Sequence, residues 1–218
     1  YNNEIKFPHL SLLITGGHTQ IYFLKNYSDI QLIGETIDDA IGEAFDKVAK
    51  LLMLSYPGGP EIEKNAKNGD VHKFKLPHPL EKNKNLNFSF SGIKTAVNLI
   101  VKNEKKISNI FVQDISASFQ YTITNILESK MQLAIKNLQK RDINFSEISL
   151  VGGVAANKYI HKRLTYIAKK NECSVVMPLS FMLSDNAAMI GWACLQKNQK
   201  NFNSDLFFKP NPKLSINN

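Results

Sequence analysis

Paired glycines limit what this chain can become more than any other feature. Three pairs stand in Leu12-Leu13-Ile14-Thr15-Gly16-Gly17-His18-Thr19, Tyr56-Pro57-Gly58-Gly59-Pro60 and Leu150-Val151-Gly152-Gly153-Val154-Ala155-Ala156-Asn157. A glycine pair turns backbone N–H groups outward and lets a ligand approach with no side chain in the way. Two of the pairs follow β-like runs, and the last is followed at once by a helical pattern. Strand, glycine turn and helix N-terminus together make the electropositive seat that a phosphate needs. The pattern points to a nucleotide or a nucleotide-like ester as ligand.

The rest of the chain reads as α/β. Leu10 to Thr15 is a continuous apolar run, and Thr19–Lys25 and Ile30–Ile37 alternate, which predicts a β-meander. Ile37, Ile41, Ala44, Phe45, Val48, Leu51 and Leu52 then form a helical stripe, with Thr36 and Asp39 as a capping box and Tyr56–Pro60 as a hard stop. From about 61 to 114 the sequence is rich in Lys and Asn and shows little periodicity. Within it, Phe88-Ser89-Phe90-Ser91-Gly92 is either a clamp for stacked bases or a buried strand end. The remainder predicts a long helix from Ser116 to Lys140, a strand Ile148–Val151, a basic helix Lys158–Lys170, a strand Ser174–Met177 and a last helix Asn186–Lys197.

Charge and cysteine content narrow the partners. Lys and Arg number 27 against 19 acids, a net charge of +8. Such a surplus, with Lys158, Lys162, Arg163, Lys169 and Lys170 on one helix, suits RNA, although AT-rich coding would also write a lysine-rich surface. Cys173 and Cys194 are too few and too scattered for a disulfide framework or a thiolate metal site, and look structural. No run reaches the roughly 18 apolar residues of a membrane span. A first residue Tyr1 in place of methionine suggests a piece of a longer protein.

Several site residues keep two readings. Gly16-Gly17 is a plain hairpin turn, or a phosphate loop to which Thr15, His18 and Thr19 add donors. Asp39, Glu43 and Asp46 share a helix face: a solvated one relieved by Glu43–Lys47 and Asp46–Lys50 pairs, or one whose carboxylates meet a ribose or a metal. Gly42 costs about 1 kcal/mol against Ala inside that helix, so something should approach the backbone there. Asn157 is a helix N-cap as well as a candidate ligand contact, and Asp185 reads as the cap of the last helix.

Taken in order, Thr-Gly-Gly-His-Thr-Gln, Asp-Asp-Ala-x-Gly-Glu-Ala-Phe-Asp-Lys, Tyr-Pro-Gly-Gly-Pro, Phe-Ser-Phe-Ser-Gly-x-Lys-Thr, Gly-Gly-Val-Ala-Ala-Asn and Ser-Asp-Asn-Ala-Ala-Met-Ile resemble one family over nearly the whole chain. It is TsaD, the tRNA threonylcarbamoyladenosine transferases, formerly described as O-sialoglycoprotein endopeptidases; the wording is closest to the bacterial and mitochondrial branch. No HExxH and no credible triad support the peptidase label. The resemblance implies an actin-like ATPase (ASKHA, ribonuclease H-like) fold. Residues 1–185 would be its second lobe, with a helical and polar insertion at about 61–145, and residues 186–218 a C-terminal helix and tail returning toward a first lobe.

It further implies an acyl transfer: the threonylcarbamoyl group passes from threonylcarbamoyl-AMP to the exocyclic amine of the adenosine 3′ of the anticodon. Leu13, Ile14, Thr15, Gly16, Gly17, Asp46, Gly59 and Asn157 are the implied substrate-binding positions. Asp46 would accept from the ribose hydroxyls, and Asp185 would be a ligand of one divalent metal, iron in the family, with zinc and magnesium as alternatives. No catalytic nucleophile is implied. The family's HxxxH metal ligands are absent, since no two of His9, His18, His72, His78 and His161 have that spacing. The implied partners are tRNA and proteins of the TsaB and TsaE type, in the cytoplasm or the mitochondrion. Two rivals are another actin-like phosphotransferase of the sugar kinase class and a non-catalytic scaffold subunit.

Overall fold

The computed structural model describes residues 5–81 and 83–198. Three strands open the chain: β1 (His9–Ile14), β2 (Thr19–Asn26) and β3 (Asp29–Glu35). Four helices follow, α1 (Ile41–Leu51), α2 (Gly58–Ala66), α3 (Ser91–Asn103) and α4 (Asn109–Gln139). Then come β4 (Glu147–Val151), a single 3-10 turn at Gly153–Ala156, α5 (Lys158–Lys170), β5 (Ser174–Val176) and α6 (Ala187–Asn198). The expected tail beyond 198 lies outside the described residues.

The strands form one sheet in the order β3-β2-β1-β4-β5. β1 is the pivot. It pairs antiparallel with β2 and parallel with β4, while β2–β3 is antiparallel and β4–β5 parallel. Alternation sends Leu10, Leu12 and Ile14 of β1, Ile21 and Phe23 of β2, and Ile148 and Leu150 of β4 into the core. The same buried cluster contains Ala44, Phe45 and Val48 of α1 and Phe119 and Ile123 of α4. Phe45 and Phe119 meet edge to face at 5.0 Å.

The helix boundaries depart from the sequence expectations for identifiable reasons. α1 starts at Ile41 rather than Ile37, which is 61% exposed. The Thr36 hydroxyl does not cap a helix; it donates to the Asp39 carbonyl at 2.7 Å and holds 36–39 as a turn. The first N–H of α1, from Ile41, instead finds the hydroxyl of Thr19 on β2 at 2.8 Å. At the other end α1 has finished by Leu52, and Met53 takes a left-handed φ of 58°. Gly58-Gly59-Pro60 is therefore no stop; it opens α2, where a first-turn proline removes an N–H that has no helical partner anyway.

α3 escaped the sequence reading because its fully buried positions are few, Ile93 and Val97. The motif before it is the buried strand end of the two readings: Phe88 and Phe90 are both fully buried and stack at 5.9 Å, so neither ring is free for a base. α4 begins seven residues before the expected Ser116, at Asn109, because the Ser108 hydroxyl accepts from the Phe111 N–H. The cap of α6 is Asn186, whose Oδ1 accepts from Met189 N–H at 3.0 Å, and not Asp185. α6 is exposed rather than buried: Met189, Ile190, Trp192 and Leu195 are 46–64% open, and Cys194 is exposed with them. No helix among the described residues is long and apolar enough to cross a membrane.

Candidate functional site

The first and third glycine pairs lie where the C-terminal ends of the parallel neighbours β1 and β4 meet helix N-termini, and the second opens α2, which is hydrogen-bonded to α1 and to the start of α5. Gly16-Gly17 is a hairpin turn between β1 and β2, closed by Thr15 N–H donating to the His18 carbonyl at 2.8 Å. The Thr15 hydroxyl accepts from both Gly17 N–H (3.1 Å) and His18 N–H (2.8 Å). Those two N–H groups are thus held within the turn, and Thr19 is fully buried as the α1 cap, so the picture of a loop bristling with free donors narrows to Gly16 and the His18 side chain.

Other loops press against this turn. Gly42 N–H at the start of α1 donates to the Thr15 carbonyl at 3.1 Å, and a Cβ on Gly42 would stand 2.7 Å from the Gly16 Cα. The cost of a glycine inside α1 is explained by this contact. From the other strand, Gly152 adopts a left-handed φ of 94°, and a Cβ there would meet the Ile14 carbonyl at 2.4 Å. Gly152 therefore packs directly on Ile14 and Thr15, the two residues that lead into Gly16.

α2 joins through Asp46. Its Oδ1 accepts from Gly58 N–H at 2.7 Å, which leaves Oδ2 with no hydrogen-bond partner among the described residues. The expected Asp46–Lys50 pair does not form. Lys47 instead bridges Asp39 (2.7 Å) and the expected Glu43 (2.9 Å). A depression of about 290 Å³ lies beside Asp46, between Lys50, Leu54, Ser55, Tyr56 and Gly58. α5 joins through two residues that sequence patterns did not single out. Glu63 of α2 accepts from Lys158 N–H at 2.9 Å, and buried Gln120 of α4 accepts from the Asn157 side-chain amide at 2.8 Å. Asn157 is the N-cap of α5, its Oδ1 accepting from Ile160 N–H at 3.0 Å. Both ends of that amide are engaged by the protein.

Four glycines of this region share a further property. Gly16, Gly17, Gly59 and Gly153 lie outside the left-handed φ region, and a Cβ built on any of them meets no atom within 4 Å. Neither backbone strain nor internal packing calls for glycine there. Gly42, Gly58 and Gly152 differ, since each would clash at once. The four open glycines face space beside three helix N-termini, a place suited to a flat, anionic ligand held against bare backbone.

The remaining expected positions are less central. Ile14 is fully buried, so its side chain belongs to the core, while Leu13 is half-buried on the opposite face of β1, paired with Val151. Asp185 is exposed, and no hydrogen bond ties it to the glycine loops. Among the described residues no group of three His, Cys, Asp or Glu side chains could hold a metal ion. One carboxylate does not make a divalent site, so these residues alone do not fit the implied metal. Arg163 is likewise not free for RNA: it pairs bidentately with Glu128 and donates to Asn125 and to the Tyr159 hydroxyl. The Cys173 thiol is buried, and burial raises its pKa, in keeping with a structural role.

Comparison with known proteins gives this site a context. A family model described as TsaD, tRNA N6-adenosine threonylcarbamoyltransferase, matches residues 1–192. A tRNA N6-adenosine threonylcarbamoyltransferase of Rickettsia rickettsii (strain Sheila Smith) is 46% identical over 216 residues, 98% of this chain and 63% of that protein. Proteins of the same name from Thermosipho africanus and Wolbachia pipientis wMel are each 44% identical, covering 65% and 63% of their own lengths. The chain thus spans about 63% of the Rickettsia relative. Among solved structures, T. kodakarensis HypF superposes with a TM-score of 0.54 at 15% identity, over 86% of this chain and 34% of HypF, a likeness of fold alone.

Proposed function

We propose that this chain, which belongs to the tRNA N6-adenosine threonylcarbamoyltransferase family, supplies the adenylate-holding part of that enzyme. The observation that carries the reading is the set of open glycines: Gly16, Gly17 and Gly153 just beyond the ends of β1 and β4, and Gly59 in the first turn of α2. In this reading the architecture is the second lobe of an actin-like fold, 1–185, with 61–145 as its insertion and the segment from 186 as a returning helix. Threonylcarbamoyl-AMP lies against the four glycines. The free Oδ2 of Asp46 accepts from the ribose hydroxyls, and Asn157, already spent on capping, shapes the wall beside it.

The reaction is acyl transfer onto an aromatic amine, a weak nucleophile, so holding the two reactants in line supplies much of the acceleration. The helix N-termini of α1, α2 and α5 oppose the negative charge of the phosphate and of the developing oxyanion. A divalent metal, held by Asp185 only together with ligands from elsewhere in the enzyme, would add Lewis acidity. Partners of the TsaB and TsaE type and a cytoplasmic or mitochondrial setting belong to the same reading.

The test is adenylate binding by glycine variants, followed by calorimetry alongside circular dichroism and urea unfolding. Gly153→Val should abolish binding with the fold unchanged. Gly59→Ala should weaken binding yet leave stability equal or up to about 1 kcal/mol higher, because alanine favours a helix. Gly58→Ala, where the new Cβ would sit 2.6 Å from that of Ala49, should destabilise the fold itself. Unaltered adenylate affinity in folded Gly153→Val and Gly59→Ala would overturn the reading.

A further inference from the structure

We propose that the exposed face of α5 is a track along which a single strand of RNA runs up to the glycine site. The inference rests on the reading above for the identity of its ligand as tRNA, and on the structure for its place.

Helical spacing puts Lys158, Lys162, Tyr166 and Lys169 on one stripe, at i, i+4, i+8 and i+11. All four are exposed, and Tyr166 is 58% open. Opposite them Ile160, Leu164, Ile167 and Ala168 are buried. The charges of this stripe are uncompensated, like those of many surface lysines and unlike those of five other cations. Lys6, Lys25, Lys47 and Arg163 all sit in ion pairs, and Lys130 is buried with its ammonium on the carbonyls of Leu80, Asn83 and Asn85. None of the stripe lysines makes an ion pair among the described residues.

The stripe also has a direction. Its first residue follows directly on Asn157, and the Lys158 N–H is held by Glu63 at the glycine site. From there it runs about 16 Å along the helix at 1.5 Å per residue. An aromatic ring flanked by cations is what unpaired nucleotides use, the base stacking on the ring and the backbone lying over the charges. Lys170 stands 4.7 Å from the Tyr166 ring centroid and adds a cation at the stacking platform. A duplex offers no unstacked base for Tyr166, so the arrangement favours a loop strand. A strand whose reacting base enters the glycine site would be led along this face.

The experiment is fluorescence anisotropy of a labelled anticodon stem-loop RNA with the full 218-residue chain over a range of potassium chloride concentrations. Reversing Lys162 and Lys169 to Glu should weaken binding at least tenfold. It should also flatten the log affinity against log salt slope by roughly 1.4, at about 0.7 per lost phosphate contact on a single strand. Tyr166→Ala should cost roughly 5- to 100-fold, and Tyr166→Phe, which keeps the ring, should restore affinity. The control reverses Lys102 and Lys106, exposed cations at the end of α3 and just after it, and should change affinity less than twofold.

Equal losses in the control, an unchanged salt slope, or no RNA binding by the parent chain would each overturn the track. Adenylate affinity measured on the same variants separates the two proposals. Stripe variants should bind the adenylate normally, whereas Gly153→Val should lose the adenylate and keep the RNA.

Discussion

Asp38 shows how much a single carboxylate does in this chain. Its Oδ2 accepts from the hydroxyls of Ser89 (2.5 Å) and Ser91 (2.8 Å), and its Oδ1 from Phe90 N–H (2.8 Å) and Ser91 N–H (3.4 Å). The turn before α1 is thereby pinned to the first residue of α3. Partial burial pushes its pKa up, but the hydrogen bonds from Ser89, Phe90 and Ser91 outweigh it and hold the carboxyl below its ordinary value of 3.8. A depressed pKa means stability that is complete above the unfolded value and is lost as pH falls through the folded one. Asp38→Ala should therefore cost about 1 kcal/mol at pH 7, a cap-sized loss moderated by solvent. The gap to the parent should close as pH drops below about 4. Urea unfolding at pH 7 and pH 3 checks this, and a gap of constant size would show that the carboxylate charge is irrelevant.

At the scale of elements, α1 depends on a residue outside itself. Thr19 of β2 is fully buried, and its hydroxyl accepts the first helical N–H, that of Ile41. Thr19→Val keeps the shape and strands that N–H, so it should destabilise by about 1–2 kcal/mol. Hydrogen exchange should quicken first at the Ile41 amide; a uniform change across the molecule would speak against a capping role. Local patterns cannot announce a cap delivered from a neighbouring strand, which is why the start of α1 reads four residues early from Thr36 and Asp39. By contrast β1, β2 and α5 are legible because their periodicity is strong and their burial largely one-sided, and β4, buried on both faces, because a short apolar run ends on a glycine pair. α3, with only Ile93 and Val97 fully buried, leaves too faint a stripe to read. The glycine loops were visible as a group, yet their division into packed and open members is not. Gly58 and Gly59 are neighbours in sequence, and only the position of Ala49 and Asp46 tells them apart.

For the whole molecule, α6 is the element whose sequence and surroundings disagree. A helix carrying Met189, Ile190, Trp192 and Leu195 on open surface has apolar area to bury, and the relatives contain more chain than is matched here. Trp192 is the only tryptophan, so it reports on this directly. Its emission should be that of a water-exposed indole in this chain. It should shift to the blue when the remaining part of a relative is supplied, together with a gain of transfer activity toward tRNA. Activity without a spectral shift would show that α6 stays bare in the working enzyme. The place of β1 in the sheet has a separate consequence, for biosynthesis. One side of β1 is satisfied at once by β2, but its parallel partner β4 is made only after all four helices, with Leu10 waiting for Ile148. At translation speeds of roughly 5–20 residues per second, that delay is on the order of ten seconds. Throughout it the meander emerges from the ribosome with one unpaired, largely apolar edge, a template for pairing with the wrong chain. The sheet register that assembles the glycine site should thus expose the nascent chain to mispairing until β4 arrives, and a contact so distant in sequence should slow its folding.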